Sequence, residues 1–212
     1  MVVLLADTQI SSIPAVDNGE ALVDLADYGI EYSGASRAGR FVRAALAVRL
    51  AAAQDALPRG IQMLVNEGHR SPREQQRIIA TYTRTLHEQN PGLDAFTLRR
   101  MSSRFVAPLE VAPHVAGAAV DLTLADASGP LWMGTPIDAT PEESRDACMF
   151  AADNISDVAR ANRTTLAVAL EAQGLVNYPT EWWHWSYGDR YWAYATRAGC
   201  ALYGPIAGVV AA

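Results

Sequence analysis

Between Pro179 and Tyr187 the chain reads PTEWWHWSY, with Trp182, Trp183 and Trp185 around His184 and with Glu181 three residues before it. An imidazole among three indoles is either hydrogen-bonded inside a core or held as a ligand. The stretch therefore has two readings: an aromatic strand that packs a sheet and happens to hold two polar groups, or a reaction centre built on such a strand. Regular strand geometry would put Glu181 and His184 on opposite faces, because their separation is odd. For both to face one site, Glu181 must stand where the strand is irregular. Pro179-Thr180 immediately upstream is the place for a turn or bulge.

The rest of the chain limits what surrounds that strand. Its 212 residues are half hydrophobic and 19% charged, which suits one folded domain rather than a disordered chain. The net charge is −6, and no basic cluster exceeds the pair Arg99-Arg100. Nucleic acid and anionic lipid are therefore not expected partners. The opening MVVLLADTQI lacks the basic residues of a secretory leader, and no segment approaches the ~20 apolar residues of a membrane span. The expectation is a soluble, cytoplasmic protein. Cys148 and Cys200 lack metal-site spacing and are expected to be reduced and structural.

The order of elements points to an α+β fold, a small and mainly antiparallel sheet with helices packed around it. Residues 1–34 mix turn residues with short apolar pieces and are expected to form an extended arm on a single domain. FVRAALAVRLAAAQDAL (41–57) has helical spacing and stops at Pro58-Arg59-Gly60. IQMLV (61–65) reads as a buried strand. Ser71-Pro72-Arg73-Glu74 is a capping box that opens a helix running to about Gln89, and a shorter helix is expected after Asp94. VDLTL (120–124) reads as a strand fed by a loop. Capping residues Thr140 and Ser156 open two more helices, the second closed by Gly174. LVNY (175–178) and WWHWSY are expected to form a terminal hairpin.

Four histidines are candidates for chemistry. His87 falls late in a polar helix and reads as a solvated residue near a helix C-terminus. His114 follows Pro113 in a loop, with Asp121 seven residues on in an apolar strand. Alone, Asp121 reads more readily as a carboxylate on the solvent side of an edge strand. Taken with His184, the two imidazoles and one carboxylate make a set of three protein ligands, the number that leaves a catalytic zinc one open position. HExxH is absent, so such a site must be assembled from strand and loop. Glu181 is a candidate general base. Arg70 sits between a buried strand and the Ser71 cap. Its permanent charge suits a developing oxyanion or a substrate carboxylate.

HVAGAAVD (His114 to Asp121) fits H-x-x-G-x-A-x-D, and EWWH (181–184) fits E-x-W-H. With Gly68-His69-Arg70 ahead of them, the order resembles the VanX-type D-alanyl-D-alanine dipeptidases, members of the zinc D-Ala-D-Ala metallopeptidase group to which hedgehog-type domains are related. The resemblance runs from about residue 60 to 190. It implies that His114, Asp121 and His184 hold one zinc ion, that Glu181 is the base, and that Arg70 assists the transition state. MGTPID (133–138) resembles a further element whose aspartate, here Asp138, binds the amino terminus of a dipeptide. The implied activity is hydrolysis of D-Ala-D-Ala or a similar short dipeptide. A D,D-carboxypeptidase or peptidoglycan endopeptidase of the same group and a non-catalytic zinc-binding module are the alternatives. The chain departs from the family pattern at Ala112, where the family has serine, at His69, commonly tyrosine, and at Ser71, commonly proline.

Overall fold

A computed structural model of the protein describes residues 2–206. Its centre is a six-stranded sheet. Strand β4 (Gln62–Glu67) pairs antiparallel with β5 (Ala119–Asp126), which pairs antiparallel with β8 (His184–Ser186). The short strands β2 (Glu31–Tyr32) and β7 (Val176–Asn177) lie at the edges, β6 (Gly129–Pro130) pairs with the end of β5, and only β2 runs parallel to its neighbour. Strands β1 (Leu22–Asp24) and β3 (Phe41–Arg43) form a separate two-stranded sheet. The class is α+β, as the order of elements predicts.

Alternation along the central strands divides the sheet into two functional faces. Met63, Val65, Val120, Leu122, Leu124 and Trp185 enter one apolar core. There they meet Leu46 and Leu50 of α2 (Ala44–Asp55) and Leu166 and Leu170 of α6 (Asp157–Glu171). Asp121 and His184, offset by one residue from Val120 and Trp185, face the other way. Helix α3 (Pro72–Gln89) sends Gln75 and Ile78 towards that second face. The Ser71 hydroxyl caps α3 by accepting from the Glu74 amide, and Thr140 forms a full capping box on the four-residue α5 (Pro141–Ser144).

Three expectations need correction. Residues 41–43 are not helical. Phe41, Val42 and Arg43 form β3, and the helix starts at Ala44, because the β-branched and aromatic pair finds a strand partner in β1. Residues 2–34 are more than an extended arm. They hold α1 (Thr8–Ser11), β1 and β2, and so contribute to both sheets. The hairpin of β7 and β8 is not terminal. Asp189 caps a further helix, α7 (Arg190–Thr196), by accepting from the Tyr191 and Trp192 amides. The other elements follow expectation, with α4 at Ala95–Ser102 and His87 exposed in the last turn of α3.

Trp185 is fully buried, and its indole N–H donates to the Trp182 carbonyl at 3.1 Å. Trp185→Ala would leave a large cavity and leave the Trp182 carbonyl with only a long contact to the Asn177 amide at 3.5 Å. It should lower unfolding stability by about 3–5 kcal/mol, read from urea denaturation followed by circular dichroism.

Candidate metal centre and the pocket around it

Three side chains from different parts of the chain converge on the second face. Asp121 and His184 are directly opposite one another on β5 and β8, so their shared orientation follows from the register. Asp121 is not on an edge strand. It is paired on both sides and 3% exposed. His114 enters from a single 3-10 turn after Pro113, closed by Gly117 in the left-handed region at φ 66°. The His114 Nε2 atom lies 3.2 Å from Asp121 Oδ2 and 3.1 Å from His184 Nδ1, and His184 Nδ1 lies 3.0 Å from Asp121 Oδ1.

The other ring nitrogen of His114 fixes its tautomer. Nδ1 lies 2.7 Å from the Gly68 carbonyl oxygen. A carbonyl only accepts, so Nδ1 carries the proton and Nε2 turns a lone pair towards Asp121 and His184. The centre is thus a buried cluster of electron-pair donors, one atom from each residue and all within 4.8 Å of one another. Such donors repel unless a cation or proton sits among them. Two imidazole nitrogens and a carboxylate are the donor types that suit zinc, so the residues fit that ion.

Glu67, Gly68, His69 and Arg70 hold this cluster from below. The pairing of β4 with β5 shifts register between Val65 and Glu67. In regular alternation Glu67 would share the core face of Val65. The extra residue instead sets Glu67 opposite Asp121, on the site face. Glu67 then grips Arg70 through both carboxylate oxygens, with Arg70 Nε to Glu67 Oε1 at 2.8 Å. Arg70 Nη1 donates to Gln75 Oε1 at 2.9 Å, and the Gln75 amide donates to the Ala107 carbonyl at 2.7 Å. Three of the five guanidinium N–H donors are used, and two stay free for a ligand. Burial alone would lower the Arg70 pKa, but the contact with Glu67 outweighs it and raises it. Gly68 cannot carry a side chain, since a Cβ there would stand 2.6 Å from the Gly39 carbonyl and 2.7 Å from that of Phe41. His69 is fully buried behind His114. Burial lowers its pKa, and its Nδ1 faces the His114 carbonyl at 3.2 Å.

Glu181 stands where the strand is irregular. Its amide donates to the Tyr178 carbonyl at 2.9 Å, and its own carbonyl accepts from the His184 amide at 3.3 Å. These two turns precede β8, and Asn177 braces them through its side-chain amide, which donates to the Glu181 and His184 carbonyls at 2.9 and 3.0 Å. Glu181 Oε2 consequently comes to 3.8 Å from His184 Nδ1 instead of pointing to the opposite face. Its carboxyl is pushed well above the usual range, first by burial and then by repulsion from Asp121 and Asp138. Burial would raise Asp121 as well. There the adjacent His114 and His184, when protonated on the nitrogens that face it, outweigh burial and hold the carboxyl far below the ordinary value.

Asp138 lies at the mouth of the same pocket, a cavity of about 280 Å³, and takes a left-handed backbone with φ 64°. Although the residue is exposed as a whole, crowding of its carboxyl by the pocket wall and repulsion from Asp121 and Glu67 push that group up to about 6. All six residues singled out in the sequence thus line one pocket: His114, Asp121, His184, Glu181, Arg70 and Asp138. Sequence reasoning missed Glu67 and Gln75, which hold Arg70, and it missed the apolar part of the wall. A carboxylate three residues before Arg70 was a readable signal for the first. Nothing local marks Leu5 or Ala107.

The sequence pattern of the D-ala-D-ala dipeptidase family matches residues 35–201, a span that includes the whole constellation. The chain belongs to that family. A D-alanyl-D-alanine dipeptidase of Synechocystis sp. (strain ATCC 27184 / PCC 6803 / Kazusa) is 37% identical over 95 residues, covering 41% of this chain and 38% of that one. The chain therefore matches well under half the length of this relative. Among solved structures, the LdcB LD-carboxypeptidase shares the fold at a TM-score of 0.52 and 17% identity, over 85% of this chain and 76% of that one. The vancomycin-resistance D,D-pentapeptidase VanY, solved as a point mutant in complex with Zn(II), aligns at a TM-score of 0.47 and 17% identity, over 91% and 96%. Among the described residues, no helix of this family member is long and apolar enough to cross a membrane.

The raised carboxyl of Asp138 has a consequence for stability. An aspartate that binds its proton more tightly folded than unfolded stabilises the protein at low pH, and that contribution is lost as pH rises through about 6. With metal removed by a chelator, Asp138→Asn should therefore gain stability over the parent between about pH 4 and pH 6, with a constant gap above. Urea midpoints across that range give the comparison.

Proposed function

We propose that this protein is a zinc dipeptidase that hydrolyses D-Ala-D-Ala or a similar short dipeptide. The observation that carries the reading is the convergence of His114, Asp121 and His184 in one buried donor set, with the Glu181 carboxylate beside it. In this reading the three residues hold one zinc ion. Zinc bound there supplies a Lewis acid for the scissile carbonyl and brings the pKa of a water down to about 7.

The remaining steps belong to the chain's own side chains. Glu181 accepts the proton of the attacking water and returns it to the leaving nitrogen. Its raised carboxyl brings its basicity closer to neutrality than an exposed glutamate's. Arg70, held rigid by Glu67 and Gln75, presents its two free N–H donors to the oxyanion of the tetrahedral intermediate. Asp138 pairs with the substrate ammonium, which favours a free amino terminus. The small cavity suits a dipeptide, since sites for drug-sized ligands begin at roughly 300 Å³.

A carboxypeptidase of the same family is the second reading. It is favoured by an open cavity of about 600 Å³ that adjoins the pocket at Asp138 and offers room for a longer chain. Turnover of D-Ala-D-Ala against a pentapeptide ending in D-Ala-D-Ala separates the two readings. For either, Glu181→Ala should keep about one zinc per chain by metal analysis and lose about 10²–10⁴-fold in kcat. Equal activity of the variant and the parent would remove Glu181 from the chemistry. A zinc-loaded protein that cleaves no peptide would instead be a binding module.

A further inference from the structure

Arg163 of α6 is 2% exposed, yet it pairs with no carboxylate among the described residues. Its hydrogen-bond partners there are four backbone carbonyls. Nε donates to Met133 at 2.7 Å and Nη2 to Ala147 at 2.8 Å, while Nη1 donates to Met149 at 2.6 Å and to Phe150 at 3.3 Å. Loss of water pulls its pKa down to about 10, which leaves it charged at neutral pH. Burying a cation without a counter-ion is costly, and an apolar side chain of similar length would fill the space without that cost. What the guanidinium supplies instead is a rigid fork of donors that joins two loops.

Met133 opens the loop that ends at Asp138. Two open clefts of about 600 and 340 Å³ flank this loop, and Thr135, Pro136 and Ile137 line both. Its tethers are at its start. Besides the bond from Arg163 to Met133, Asn162 of the same helix donates to the Trp132 carbonyl at 3.0 Å, and the Trp182 indole donates to the Thr135 hydroxyl at 2.8 Å. Gly134, at φ 98°, lets the loop lie against Arg163, since a Cβ there would stand 3.1 Å from Nη2 and 2.7 Å from the Ile155 side chain. Residues 147–150, gripped by the same guanidinium, are bound in turn to the segment around Glu181. The Trp182 amide donates to the Cys148 carbonyl at 2.9 Å, and the Phe150 amide donates to the Pro179 carbonyl at 3.1 Å.

We propose that Arg163 is a positioning residue, which holds Asp138 at a fixed separation from Glu181 by clamping the 133–138 loop to residues 147–150. The inference rests on the dipeptidase reading, in which Asp138 takes the substrate ammonium and Glu181 serves the scissile bond. The amino-terminal residue of the substrate then spans the gap between the two carboxylates. A loop that drifts would lose the ammonium and leave the metal centre intact. The metal ligands are placed by the pairing of β5 with β8 and by the His114 turn, and the Glu181 turn keeps its brace from Asn177.

Arg163→Lys keeps the charge and loses the fork. Loaded with about one zinc per chain, this variant should raise KM for D-Ala-D-Ala about tenfold and leave kcat within about twofold of the parent. Gly134→Ala, which leaves the buried charge in place and crowds the loop away from it, should do the same, and it decides the matter if Arg163→Lys fails to fold. In an Asp138→Ala background neither change should raise KM further. A role in stability alone would lower the unfolding midpoint and leave KM where it is. Hydrogen exchange gives a readout without catalysis: amides of residues 134–139 should exchange about tenfold faster in both variants, and those of β5 and β8 should not. If the parent cleaves D-Ala-D-Ala and both variants keep its KM, the clamp is overturned and the dipeptidase reading stands. If the parent cleaves no dipeptide but exchange rises in 134–139 alone, the dipeptidase reading fails and the clamp survives. Exchange that is unchanged, or that rises equally across the sheet, overturns the clamp.

Discussion

The hydrogen bond from the His114 ring to the Gly68 carbonyl ties together two segments that lie 46 residues apart, and the site depends on it. It sets the His114 tautomer and turns Nε2 towards Asp121 and His184. The same junction is closed by the Arg70 amide, which donates to the His114 carbonyl at 3.1 Å, and by the His69 ring facing that carbonyl. Gly68 is required there because three backbone or side-chain atoms crowd the position of any Cβ. Moving either segment would therefore displace an imidazole and an arginine together.

The register of the sheet distributes the remaining groups. A one-residue offset puts Val120 and Trp185 into the core and their neighbours Asp121 and His184 into the pocket. The bulge beyond Val65 then turns Glu67 to the same side. The result is a pocket with four carboxylates (Glu67, Asp121, Asp138 and Glu181) and one arginine. Gathering so much like charge destabilises the metal-free fold, and the raised carboxyls of Asp138 and Glu181 are the local signs of it. The large apolar core on the opposite face supports that arrangement. Its three tryptophans belong to the same nine residues that carry Glu181 and His184.

Much of this was legible in the chain. Helix starts at Ser71, Thr140 and Ser156 could be read because capping is local chemistry between residues three apart. The candidate site residues could be singled out because their types and spacings are unusual for packing alone. The strand at Phe41–Arg43 was hidden, since its helical spacing was outweighed by pairing with β1, a contact between segments some 20 residues apart. Leu5 was hidden for the same reason. It reaches the pocket only because its amide meets Tyr178, 173 residues along the chain.

By itself, the sequence determined the fold class, the helix boundaries set by caps, and the identity of the groups available for chemistry. These depend on residue type and short-range spacing. Tertiary structure alone decided that Glu181 turns towards His184, that Glu67 grips Arg70, and that Leu5 and Val106 join the pocket wall. Each of those outcomes depends on a register, a bulge or a contact between distant segments. A shift of one residue would reverse which face a side chain occupies, and no local pattern specifies that shift.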